Sequence, residues 1–256
     1  MKVLIALINK EWLENVRSGK ITIITILFIF FGIMNPAIAK LTPWMMELMA
    51  EDLAKTGLVV TEVSVDALTA WTQFFKNIPM GLLAFILLYS AAFTKEYQTG
   101  SLILVLTKGV SRYKVITAKA FMLLLVWTLC YWLSFFITYG YAAYFWDNSI
   151  IYHLFFAAFS WWLFGVWTIS LLVLFSSMLS NNAGVLLGTA ATVLISYVIG
   201  LFAKPKPYAP TFLLSAASLV SNSAVPDTYT KAALVTAVLS ALCIGISIPI
   251  MNKREL

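Results

Sequence analysis

Six stretches of this chain, 21–39, 77–94, 120–145, 154–179, 182–203 and 232–251, contain no Asp, Glu, Lys, Arg or His. A hydrocarbon core about 30 Å thick is crossed by about 20 helical residues rising ~1.5 Å each, and the runs are of that length. In lipid, each backbone N–H and C=O must find a partner within the protein, which a helix supplies from its own segment. Composition agrees: 61% of the residues are hydrophobic and 11% charged, against about 25% charged in ordinary soluble domains. The expectation is an all-α integral membrane protein, a single domain over 1–256 with six transmembrane helices.

Lys and Arg orient it. With the N-terminus inside, the inner segments hold Lys2, Lys10, Arg17, Lys20, Lys95, Lys108, Arg112, Lys114, Lys119, Lys253 and Arg254, eleven of the 17 basic residues. The outer segments hold six, together with seven of the 11 acids, among them Glu47, Glu51, Asp52, Glu62 and Asp66. The positive-inside rule then places both termini in the cytoplasm of a multi-pass plasma-membrane protein. The net charge of +6 is therefore a topology signal. No basic stripe is interleaved with exposed aromatics, so nucleic acid is not an expected partner; membrane lipid is.

Residues 1–20 pattern as an amphipathic helix, with Leu4, Ile5, Ile8, Trp12 and Val16 on one face and Lys10, Glu14 and Arg17 on the other. A basic, Trp-bearing helix of this kind lies in the headgroup layer; a plain soluble helix is the alternative. Ala37-Ile38-Ala39 resembles a signal-peptide cleavage site, but the twenty residues before the first run are long and include Glu11 and Glu14, so the run is read as a span. The outer loop 40–76 has two helical pieces. Met45, Leu48, Met49 and Leu53 form a stripe in one, while Trp71, Phe74 and Phe75 of the other fit an interfacial aromatic belt. Before the last span, Pro205, Pro207, Pro210 and Pro226 bracket an apolar piece, 211–220, too short to cross. It reads as a short re-entrant or interfacial segment on the outer side.

Several chemistries lack their residues. One histidine, His153, supports neither a zinc helix nor a usual Ser-His-Asp triad. Cys130 and Cys243 lie in spans and form no metal or CxxC set. Ser18-Gly19-Lys20 resembles the end of a phosphate loop but lacks the glycine five residues before Gly19 and the Ser/Thr after Lys20. The chain is expected to bind no ATP, metal or cofactor itself. Ion-coupled carriers usually keep an ionisable residue in the membrane; every such residue here lies at or beyond a span's end. A transport role would draw its energy from another subunit.

The segment 95–119 is the informative one. Leu102, Ile103, Leu104, Val105 and Leu106 follow Gly100-Ser101 and are boxed in by Lys95, Lys108, Arg112, Lys114 and Lys119. The run is too short to span. Left in water, each large aliphatic forfeits about 1.5–3 kcal/mol of burial. It needs cover from its own first helix or from a cytoplasmic partner. Lys119 is placed at the headgroups, and Arg112 is expected to pair with Glu96 or with a partner carboxylate.

This layout resembles the permease subunit of type-2 ATP-binding-cassette exporters. The matching residues in the loop are Glu96, Gly100, Ser101, Leu102 to Leu106, Ser111, Arg112 and Lys119. The family usually has Pro where this chain has Gly109. The resemblance extends to an interfacial elbow helix, six spans, a re-entrant segment before the last and a charged tail, Lys253-Arg254-Glu255-Leu256. It implies that Glu96, Gly100, Ser101, Leu102, Leu104, Leu106, Ser111 and Arg112 form a coupling helix and loop seated on a cytoplasmic ATPase. ATP and Mg would be bound by that partner, and two permease copies or paralogues would sit side by side.

Gly184, Gly188, Thr192, Ser196 and Gly200 recur every four residues in the fifth span, a spacing that lets helix backbones approach closely. The stripe packs either within the chain or across a pair of permeases. Trp127, Tyr131, Trp132, Phe135, Tyr139, Trp161, Trp162, Phe164 and Trp167 crowd spans three and four, as packing or as a substrate wall. The family's usual pathway instead implies Phe28, Phe85, Tyr89, Thr192, Ser196 and Tyr197. An exporter of an amphipathic peptide, antibiotic or lipid-like compound is the leading expectation. A non-transporting anchor or sensor on the same scaffold is the alternative, and a membrane-embedded enzyme lacks an acid, base or metal set.

Overall fold

The computed structural model describes residues 2–55, 65–101, 107 and 109–253, with the side chains of 49–55 and 253 excepted. Among the described residues, six helices are long and apolar enough to cross a membrane. Helix α1 (Lys2–Arg17) ends where Gly19 takes a φ of 72°, a left-handed conformation that stops a helix without a Cβ clash. Helix α2 (Lys20–Lys55) follows at once.

Asp66 caps α3 (Ala67–Tyr89) by accepting from the Thr69 amide at 3.0 Å. After Ser90 comes a short arm, α4 (Ala91–Gln98), and beyond the loop α5 (Arg112–Phe145). Helices α6 (Leu154–Met178), α7 (Asn182–Gly200) and α8 (Asp227–Lys253) complete the bundle.

Helix α2 runs past residue 39, where the sequence reading ends the first span and begins a loop. Pro36 and Pro43 lie inside it. Pro36 has no N–H to offer the Gly32 carbonyl, which would be left bare in lipid. Thr138 Oγ1 of α5 donates to that carbonyl at 3.0 Å, so a neighbouring helix replaces the missing bond. Asn35 Nδ2 donates to Thr138 Oγ1 at 3.3 Å and Asn77 Nδ2 of α3 to Asn35 Oδ1 at 2.8 Å. This buried chain of hydrogen bonds fastens α2, α3 and α5 and lets the proline stay in a continuous helix.

The piece before the last span is a 3-10 helix, Pro210–Leu219. Its buried residues Pro210, Leu213, Ala216 and Leu219 recur every three positions, the period at which 3-10 side chains eclipse. That face packs on α6 and α8. The Tyr152 amide donates to the Val220 carbonyl at 3.3 Å, so the turn between α5 and α6 lies at the same end of the bundle.

Helix α6 is the central element, packed on α8, α7, α5 and the 3-10 segment. The aromatics of α5 and α6 pack against each other. Trp127 Nε1 donates to the Trp162 carbonyl at 3.2 Å and Tyr131 Oη to that of Ala158 at 2.7 Å. Gly165 leaves room for the Trp127 indole, where any Cβ would clash. Trp71 and Phe74 are buried among Tyr131, Phe135 and Tyr139, and Phe75 is buried beside Phe74, rather than placed in an interfacial belt. Core packing claims them because α3 is covered on that side by α5.

Candidate functional site

The site forms at the end of the bundle that holds α1, α4 and the last turn of α8, where the 99–111 loop leaves α4 and returns to α5. Gly100 and Gly109 take φ values of 67° and 80°, left-handed conformations that spare the backbone strain a side chain would meet. Gly109 thus makes its turn through a conformation that proline, with its fixed negative φ, could not adopt. Ser101 is half-buried beside Thr99, with 3.0 Å between their hydroxyls, and Ser111 is exposed in extended backbone just before α5. Leu102, Leu104 and Leu106, with Ile103, Val105 and Lys108, lie outside the described residues, as do Arg254, Glu255 and Leu256.

Glu96 does not face outward. It is 8% exposed and turns back into the protein, where Lys10 of α1 lies 2.6 Å and Lys119 of α5 3.2 Å from Oε1. The sequence places Lys119 at the headgroups, yet it is only 3% exposed. Its ammonium has three acceptors: Glu11 Oε2 at 2.9 Å, Glu96 Oε1 at 3.2 Å and the Ala92 carbonyl at 3.1 Å. That matches the three donors an ammonium carries.

Lys10 also reaches Glu11 at 3.1 Å and Glu14 at 3.2 Å. Burial alone would lower its pKa, but the hydrogen bond to Glu96 and the charges on Glu11 and Glu96 outweigh that and leave it raised. Lys10 therefore stays protonated throughout the physiological range. Carboxylate oxygens of Glu11, Glu14 and Glu96 lie within 4.8 Å of one another, a spacing open to a cation. Lys10 and Lys119 bond to these oxygens and make the set a salt-bridge network.

Arg112 is held by α8. Its Nη1 donates to the carbonyls of Met251 at 3.0 Å and Asn252 at 3.4 Å. These belong to the last turn of α8, where carbonyls lack helical partners and a cation is favoured. Of the two pairings expected of Arg112, the one with Glu96 gives way to this anchor, because Glu96 is taken up by Lys10 and Lys119. Tyr97 Oη donates to Met251 Sδ at 3.2 Å, tying α4 to the same turn.

The structure divides the expected pathway residues. Phe28, Phe85 and Tyr89 are sealed in the core, with Phe28 and Phe85 packed edge-on to Trp127. They line no open route among the described residues of this chain. Thr192 and Ser196 face a cavity of about 280 Å³ with Trp167, Tyr208, Pro210 and Leu239. Tyr197 lines a second, of about 240 Å³, with Gly200, Lys206, Thr211 and Phe212. The two flank the end of α7 that meets the 3-10 segment.

The small-residue stripe is used within the chain. Gly188 lies on the Phe175 ring, Ser196 accepts from Thr211 Oγ1 at its carbonyl (2.9 Å), and Gly200 sits beside the same threonine. Gly184 lies against Leu179 and Asn181, and Thr192 Oγ1 turns back to the Gly188 carbonyl at 2.9 Å. These contacts are intrachain, and Gly184, Gly188, Thr192 and Gly200 stay half-buried in the single chain. The face of α7 left exposed carries Leu187, Leu194 and Val198 instead.

Sequence reasoning missed the grouping of Lys10, Glu11, Glu96 and Lys119. One signal was present: Glu11 continues the inward row of Leu4 and Leu7 at helical spacing, an odd place for an acid unless a cation meets it. A family model described as ABC-2 family transporter protein matches residues 5–205. No curated protein and no solved structure matches the chain.

Proposed function

The chain belongs to the ABC-2 family of transporter proteins, and we propose that this permease subunit works as the membrane half of an ATP-driven exporter. Hydrolysis would occur in separate cytoplasmic ATP-binding-cassette subunits, which hold the ATP and Mg. Two permeases, identical or paralogous, would stand side by side in the plasma membrane with their termini in the cytoplasm, as the Lys/Arg distribution favours.

One observation carries this reading. The 99–111 loop, whose sequence holds the apolar run, joins a base fastened on both sides, by Glu96 where it leaves α4 and by Arg112 where it enters α5. A loop that only linked two spans would need no such footing. A lever pressed by an ATPase would.

The cargo is best matched by an amphipathic peptide, antibiotic or lipid-like compound. The cavities beside α7 are apolar with hydroxyls from Thr192, Ser196, Tyr197 and Tyr208, and among the described residues Lys206 is the one charged group that lines them. The test is purification of the chain with its ATPase, followed by reconstitution in vesicles. ATP-dependent accumulation of an amphipathic cationic peptide inside inside-out vesicles is the expected result. Stimulated hydrolysis without accumulation of peptide or lipid probes would favour the anchor or sensor reading.

A further inference from the structure

We propose that the cleft between the end of α7 and the 3-10 segment Pro210–Leu219 is a site for a phospholipid of net negative charge. Its phosphate is held by Lys206, and its acyl chains lie along Tyr197, Leu201 and Leu214. The inference stands apart from the permease reading, since it concerns the end of the bundle opposite the 99–111 loop.

Depth comes from the length of α7. Its 19 residues, at ~1.5 Å each, nearly match a hydrocarbon core about 30 Å thick. The helix starts at the loop end of the bundle, so Gly200 and Leu201 reach the opposite headgroup layer. Tyr197, Phe202, Tyr208 and Phe212 collect at that depth, as an interfacial aromatic belt does. The cavity of about 240 Å³ lined by Tyr197, Leu201, Lys206, Phe212, Leu214 and Ser215 therefore opens where lipid phosphates lie. Tyr197 and Leu201 are exposed, so its wall runs on into the lipid-facing side of α7.

Charge selects the headgroup. Between Leu201 and Lys231 the chain carries three lysines, Lys204, Lys206 and Lys231, and one acid, Asp227. The positive-inside bias would keep lysines off this face. Among the described residues no salt bridge joins Lys206 or Lys231 to a carboxylate. An anion at this depth is a lipid phosphate, and basic pockets between membrane helices recognise anionic headgroups.

The ammonium is placed by packing. Lys206 Nζ lies 5.4 Å from the Phe212 ring centroid, an attraction that leaves its three N–H donors open to an acceptor. The Phe212 ring is stacked on Tyr229 of α8 at 4.7 Å, and Tyr229 Oη donates to the Ser215 carbonyl at 3.0 Å. Lys231 Nζ lies 5.9 Å from the Tyr208 ring, which belongs to the same 3-10 turn as Lys206. The hydroxyls of Thr211 and Ser215 are spent on the Ser196 and Phe212 carbonyls. Lys206 and the Tyr197 hydroxyl are thus the donors that line the cleft, and a phosphodiester supplies acceptors alone. A zwitterionic lipid would bring its own cation into a field that is already positive. The neighbouring cavity with Thr192 and Ser196 has no charged residue in its lining and carries no such preference.

The test uses the full chain in phosphatidylcholine nanodiscs. A fluorophore is attached at Leu201→Cys, or at Leu194→Cys in the middle of α7 as a control, both exposed positions. Cys130 and Cys243 are buried and are replaced by Ala in the background. A fixed fraction of the lipid carries a nitroxide quencher near the top of an acyl chain, either as phosphatidylglycerol or as phosphatidylcholine. At 201 the anionic lipid should quench about threefold more strongly than the zwitterionic one; at 194 the two should quench alike. Lys206→Gln should remove most of the preference at 201, and Lys206→Arg should keep it because the charge is retained. An excess of inorganic phosphate at constant ionic strength should leave it unchanged, since the acyl chains share in the binding.

Equal quenching by the two lipids at 201 overturns the site. So does a preference at 194 as large as that at 201, or one at 201 that survives Lys206→Gln unaltered. Loss of the preference to inorganic phosphate overturns the lipid as occupant and makes the cleft a site for a free anion.

Discussion

Gly188 of α7 faces Phe175 of α6 so closely that a Cβ built on it would lie 2.7 Å from the ring's Cδ1. The ring packs against the buried core, so it has little room to yield. Gly188→Leu should overpack this joint at a cost of about 1–3 kcal/mol. We expect a lower unfolding midpoint in mixed micelles, with pairing between permeases retained, because the Phe175 contact that Gly188→Leu disturbs is intrachain. Cross-linking that reports lost pairing at wild-type stability would reassign the stripe to the dimer.

Topology gives a second expectation. The charge bias puts residue 108 on the cytoplasmic side and residue 55 outside. Single cysteines at Lys55 and Lys108, in a background without Cys130 and Cys243, should react oppositely with an impermeant maleimide on intact cells. Labelling of position 108 from outside would invert the scheme, and with it the direction of export.

A third concerns the apolar run of the loop. If Leu102, Leu104 and Leu106 seat in a groove of the ATPase, as proposed, a carboxylate placed there would be buried without a partner, at high cost. Leu104→Asp should release the ATPase during purification while the permease stays folded. Arg112→Ala should retain the ATPase but lower the transport obtained per ATP hydrolysed, because it frees the end of α8. Full retention and normal export in Leu104→Asp would return the run to the permease's own packing.

The spans were legible because a bilayer admits few solutions: uncharged runs of the right length have to be helices. The end of α2 was not. Lys40 and Pro43 look like the edge of the membrane, yet Lys40 Nζ sits 3.8 Å from the Phe145 ring centroid and the helix continues. A cation over an aromatic face is stabilised without leaving the helix, and only the fold brings Phe145 there.

The loop motif was visible in Gly100, Ser111 and Arg112, but the partners of Glu96 were not. Lys119 and Glu11 are 108 residues apart, and nothing local to either identifies the other. Phe28, Phe85 and Tyr89 were ambiguous for the converse reason: large aromatics in the first two spans serve a core and a pathway equally well, and only the fold shows Trp127 packed against Phe28 and Phe85.

Pro36 supports a last prediction that separates structure from chance proximity. Thr138 donates to the Gly32 carbonyl, the group that a residue with an amide at 36 would satisfy through the helix itself. Thr138→Val should therefore destabilise the protein by about 1–3 kcal/mol, the penalty for a buried acceptor left bare. Restoring the amide with Pro36→Ala gives that carbonyl its own donor, so Thr138→Val should then cost less. The residual cost would reflect Asn35 Nδ2, which also bonds Thr138. A double-mutant cycle measured by unfolding in mixed micelles reads the difference directly. Equal costs of Thr138→Val with and without Pro36→Ala would show that the hydroxyl does not replace the missing helical bond.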